Sequence, residues 1–85
     1  MATLIKTDGS SETVVGKGLN RVLTLDQIQE AVDGYFQFAP THGRDNVLVN
    51  EDGRMRGMKY NLVASNMAGQ ELVGPVLFCA DSEIE

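Results

Sequence analysis

A chain of 85 residues is long enough for one hydrophobic core and too short for two that fold independently. Its 42 % hydrophobic and 22 % charged residues exclude wholesale disorder, and its longest apolar run, Val76 to Ala80, excludes a bilayer-crossing helix, which takes roughly 20 apolar residues. A net charge of −5 opposes general nucleic-acid binding, because neutralising phosphates needs a positive footprint.

Taken in chain order, Ala2 to Val15 holds two short β-prone runs, Thr3 to Lys6 and Glu12 to Val15, around the turn residues Asp8-Gly9-Ser10-Ser11, which predicts a hairpin. Gly16-Lys17-Gly18 has neither the full glycine spacing nor the Lys-Ser or Lys-Thr pair of a phosphate-cradling loop and reads as a flexible connector. In Leu23-Thr24-Leu25-Asp26-Gln27-Ile28, Thr24 stands at a cap, Gln27 at the reciprocal capping-box position, and Leu23 is placed to staple onto Ile28. A helix over 25–33 follows, with Leu25, Ile28 and Val32 as its apolar stripe beside Ala31, and Gly34 as its left-handed stop.

Tyr35-Phe36-Gln37-Phe38 alternates and reads as a strand ended by Pro40 and Gly43, and Asn46 to Asn50 is the next strand. Asn50-Glu51-Asp52-Gly53 is a turn in which Gly53 is suited to a positive φ. Arg54 to Met58 reads as a short edge strand or a loop. Asn61 caps a short helix over 62–67 whose Val63 and Met67 share a face, and Gly69 breaks it. Leu72 to Cys79 returns to extended structure, with Val76 to Cys79 as the buried part. The expectation is a single α+β domain over 1–85 with a short flexible end at 81–85, a small and mostly antiparallel sheet, and the order ββαββ(β)αβ. The one cysteine, Cys79, has no partner for an internal disulfide and lies in an apolar run, and Met1 to Lys6 shows no signal pattern, so a reducing cytoplasmic setting fits.

Leu23-Thr24-Leu25 leading to Val32-Asp33-Gly34-Tyr35, then Leu48-Val49-Asn50-Glu51-Asp52-Gly53, Gly57, Asn61 and Ala64, and a final Val73-Gly74-Pro75-Val76-Leu77 resemble domain-of-unknown-function family 3846 over roughly Ile5 to Ala80. The chain departs from that pattern at Met58-Lys59-Tyr60, where a Leu-Pro type lead-in is more frequent, and at Ser65, which replaces a frequent Thr. The resemblance implies a compact α+β fold and a setting in bacteriophages, prophages or plasmids. It brings no reaction.

Chemistry needs a positioned acid, base or nucleophile, and the pool is one histidine, one cysteine and scattered carboxylates. His42 stands alone in a loop between Pro40 and Gly43. Cys79 sits between Phe78 and Ala80 as core filler. Glu51 and Asp52 before Gly53 are explained by turn chemistry, and no metal-ligand spacing is present, so no metal and no cofactor are expected. One stretch stands out in this acidic chain: Asn50, Arg54, Arg56, Lys59, Tyr60, Asn61, Ser65 and Asn66 gather cations, amides, a hydroxyl and an aromatic ring, which suits a nucleotide-like ligand or an acidic partner surface. The structural alternative is that the arginines guard an edge, Asn61 caps a helix and Tyr60 fills the core.

Three functions are carried forward. The first is a non-catalytic accessory protein of a phage or mobile element that binds a host protein. The second is a module that binds or sequesters a small nucleotide, in the manner of counter-defence. The third is a small hydrolase or transferase using His42 with a carboxylate. Under each, the small buried fraction and the edge-prone strands favour a homodimer or higher homo-oligomer.

Overall fold

The computed structural model describes residues 2–39 and 46–84. Five strands, β1 (Ala2–Ile5), β2 (Ser11–Val14), β3 (Phe36–Ala39), β4 (Asn46–Asn50) and β5 (Val76–Cys79), form one sheet in the spatial order β2-β1-β5-β4-β3. Every neighbouring pair is antiparallel. Two α-helices, α1 (Leu25–Val32) and α2 (Leu62–Ala68), complete the α+β fold.

The helices cover opposite faces of the sheet. On one face Ile28 and Val32 of α1, with Leu23, meet Ala2, Leu4, Leu48, Leu77 and Cys79. On the other Ala64 and Leu72 meet Ile5, Val47, Val49, Val76 and Phe78. All four residues of β5 are therefore buried, which is why its sequence is continuously apolar instead of alternating. Leu48 and Leu77 are wholly buried, and truncating either to alanine removes about 2–5 kcal/mol.

The start of α1 follows local chemistry. Gln27 N–H donates to the Thr24 hydroxyl at 3.1 Å, and Thr24 N–H donates back to Gln27 Oε1 at 3.1 Å. The same Oε1 accepts from Lys17 N–H at 2.8 Å while Nε2 donates to the Val15 carbonyl at 2.9 Å, so the cap also ties down the chain between β2 and α1. The end of α1 differs from expectation. The helix stops at Val32, and Asp33, not Gly34, is the left-handed cap (φ 61°), its backbone N–H reaching the Gln29 and Glu30 carbonyls; Gly34 follows at φ 143°. Asp33 holds this conformation because its carbonyl is gripped from outside by Asn50 and Arg56.

Several local expectations change in the folded chain. Leu25 is exposed, because Leu23 occupies the core position at the helix start. Residues 51–57 are successive turns, so the bracketed strand of the expected order is absent among the described residues. Gly53 is buried with no positive φ, and its need is for room: a Cβ there would lie 3.0 Å from Val73 Cγ2. The 16–18 connector is tightly built. Gly18 N–H bonds the Val22 carbonyl, and a Cβ on Gly16 would sit 2.1 Å from the Arg21 carbonyl oxygen. Residues 81–83, read as part of a flexible end, form a 3-10 turn, after which Ile84 bridges Leu23 and packs on the core. His42 and the rest of 40–45 lie outside the described residues.

Candidate functional site

The eight residues singled out between 50 and 66 divide into those that hold the fold and those that face water. Asn50 is buried at the end of β4. Its Nδ2 donates to the carbonyls of Val32 at 2.9 Å and Asp33 at 3.0 Å, and its Oδ1 accepts from Asp52 N–H at 2.8 Å, so one amide closes both the end of α1 and the turn after β4. Asn61 is wholly buried. Its Oδ1 caps α2 by accepting from Ala64 N–H at 3.1 Å, and its Nδ2 donates to the Ile5 and Gly74 carbonyls, each at 2.9 Å. Ser65 accepts from Leu72 N–H at 2.8 Å and donates to the Leu72 carbonyl at 3.2 Å. Every donor hydrogen of these three side chains is spent on the backbone, so their bonds serve the fold.

The two arginines turn in different directions. Arg54 Nη2 donates to the Glu71 carbonyl at 3.3 Å, beside the segment that follows α2. Arg56 Nη1 donates to the Asp33 carbonyl at 2.6 Å, and its Nη2 lies 3.2 Å from Asp33 Oδ2, at the end of α1. The expected convergence of cations on one spot is not what the chain builds. Lys59, Tyr60 and Asn66 stay exposed around the start and outer side of α2, with Tyr60 bridged to Val73 through the backbone. Tyr60 is 49 % exposed and so is not core.

On α2 the large side chains lie on the side away from the sheet. Val63 and Met67 do share a face, and it is the outer one: Ala64, Ser65 and Ala68 face the sheet, and Leu62, Val63 and Met67 face outward with exposures between 38 and 59 %. Side-chain size decides this. The helix lies close over the sheet, where Asn61 reaches the Ile5 carbonyl, and only small residues fit beneath it. The outer side of α2 and its lead-in thus carries Tyr60, Leu62, Val63 and Met67, with Lys59 and Asn66 beside them. The alternation of small residues at 64, 65 and 68 with large ones at 62, 63 and 67 is the sequence signal that would have found this face.

Two grooves flank the helices. One of about 630 Å³ runs between the β1-β2 hairpin and α1 over Leu4, Val14 and Ala31. Its volume is in the range of ligand clefts, and three of its polar side chains are already engaged: Lys6 Nζ lies 3.1 Å from Glu12 Oε2, and both ends of the Gln27 amide hold backbone. The other, about 350 Å³, lies over Ala39 and Val49 with Arg54 and Met55 at its rim, and is the only one of the two to touch the expected stretch. Among the described residues no three histidine, cysteine, aspartate or glutamate side chains converge as a metal site would require, and no helix is long and apolar enough to cross a membrane.

Comparison with known proteins gives one match. A family model described as a domain of unknown function (DUF3846) aligns with residues 2–85. No curated protein and no solved structure matches the chain.

Proposed function

The chain belongs to the DUF3846 family of domains of unknown function, and on that premise we propose that it is a non-catalytic binding module of a phage or other mobile element that docks on a host protein through the outer side of α2. The observation that carries the reading is the outward apolar set Tyr60, Leu62, Val63 and Met67 on so short an element. A surface helix normally turns its large apolar side chains to the core. Here the sheet is satisfied by alanine and serine, and the large side chains are left in water, where a cluster of this kind costs solubility unless something covers it. Methionine and tyrosine suit such a contact, the first by adapting its shape and the second by offering a ring with a polar tip.

Lys59 and Asn66 supply a cationic and polar border, so the complementary surface is an apolar patch edged with carboxylate. The setting in a mobile element comes from the distribution of the family the sequence resembles. The test is affinity capture from host lysate with the wild-type chain and with Met67→Asp, a substitution at an exposed position. A host protein retained by the wild type and reduced at least tenfold with Met67→Asp supports the reading. Identical capture by both chains overturns it.

A further inference from the structure

Among the described residues the sheet ends in two edge strands, β2 and β3, and they differ. On the β2 side the strand carries Glu12, paired with Lys6 of the adjoining turn. On the β3 side the six residues Gly34 to Ala39 carry no charge, no proline and no bulge, the devices that keep exposed edges from pairing. Tyr35 is 71 % exposed and Phe38 53 %. From these features we infer that β3 pairs with β3 of a second copy of this chain, antiparallel across a two-fold axis at Gln37.

The hydrogen bonds already made fix which main-chain groups of the edge face outward. Glu51 N–H donates to the Tyr35 carbonyl at 2.8 Å, which continues the ladder in which Gln37 opposes Val49 and Ala39 opposes Val47. In an antiparallel pair the bonded positions alternate, so residues 35, 37 and 39 spend their main-chain groups on β4 and its extension. Phe36 and Phe38 therefore point their N–H and C=O groups outward. Two strands related by a two-fold axis through Gln37 set Phe36 opposite the partner's Phe38 and Phe38 opposite the partner's Phe36. Each of those pairs exchanges two hydrogen bonds, which uses the outward groups of Phe36 and Phe38.

The side chains agree with that register. Phe36 and Phe38 lie on the α1 face with ring centroids 6.2 Å apart, and the two-fold axis places the same pair directly across, giving a row of four aromatic rings on one face. On the other face Gln37 opposes its own copy, amide to amide. A second copy is the occupant because the axis sets Phe36 and Phe38 of each chain across from the other's, and because the uncharged run 34–39 lets two chains of net charge −5 approach without like charges in contact there. The surface is separate from the outer side of α2, whose start lies by the 6–10 turn, where Val63 Cγ2 comes near Gly9.

The experiment is sedimentation equilibrium on the full chain over a concentration series. The wild type is expected to reach about twice the 9.2 kDa of one chain. Gln37→Lys and Gln37→Glu each place like charges face to face at the axis and are expected to return the mass to that of one chain, with the far-ultraviolet circular dichroism unchanged. Mixing the two variants is expected to restore the double mass, and Thr13→Lys on the other edge to leave it intact. A wild type that stays at one chain's mass throughout the series, a dimer indifferent to charge at residue 37, or a mixture that fails to reassociate overturns the inference.

Discussion

Asn61 bonds three main-chain groups from three parts of the chain: the start of α2, the end of β1 and the bend at Gly74. Replacing it by alanine leaves those groups buried and unpaired at about 1–3 kcal/mol each, so Asn61→Ala is expected to lose about 3 kcal/mol or more in a urea unfolding experiment. Asn66→Ala, on the exposed side of the same helix, is expected to stay within about 0.5 kcal/mol. That contrast separates the structural half of the 50–66 stretch from its surface half. The cap at Asn61 was legible because its partner lies three residues on. The bond to Ile5 was not, because a contact across 56 positions leaves no mark in local spacing. Asn50, Arg54 and Arg56 were misjudged for the same reason. Their partners are backbone carbonyls, and a carbonyl is present at every residue, so composition cannot show which one a side chain will reach.

At the scale of the element, α1 was readable in full at its start and less so at its end. A capping box is a local pattern, whereas the left-handed Asp33 depends on Asn50 and Arg56 arriving from elsewhere. Gln27 shows how a local motif acquires a tertiary duty, since the amide that completes the cap also anchors Val15 and Lys17. Gln27→Ala is expected to lower stability by about 1–2 kcal/mol and to speed amide hydrogen exchange at Lys17 and Thr24 before any other part of α1. The opposite case is α2, which was legible in its place in the chain but not in which of its sides meets the sheet. Hydrophobic spacing groups Val63 with Met67 on one face but does not say which way that face turns; the short distance to the sheet puts Ala64, Ser65 and Ala68 inside. Where an element packs closely, volume outranks hydropathy.

For the molecule as a whole, two carboxyl groups tie stability to pH. The Ala80 N–H donates to Glu83 Oε1 at 2.9 Å and holds that carboxyl below its ordinary value of 4.5. The Ser10 hydroxyl, followed by the Ser10 N–H, holds Asp8 below 3.8. Both groups are favoured in their charged form by folding, so the stability they add is complete above about pH 4.5 and is lost as the pH falls through the depressed folded-state values. Glu83→Gln is expected to lower the unfolding midpoint at neutral pH and to converge with the wild type in acid, giving a flatter profile. The fold class and five of the strands were legible from turn residues and apolar runs, the bracketed sixth was not built, and the spatial order was not legible, because nothing local says that β5 lies between β1 and β4. That placement governs how the chain matures during synthesis. The β1-β2 and β3-β4 hairpins leave the ribosome first, yet neither has the other to pair with until the keystone strand emerges. A message that stops before Val76 therefore yields two orphan ribbons, each too small to persist, and a substrate for proteases.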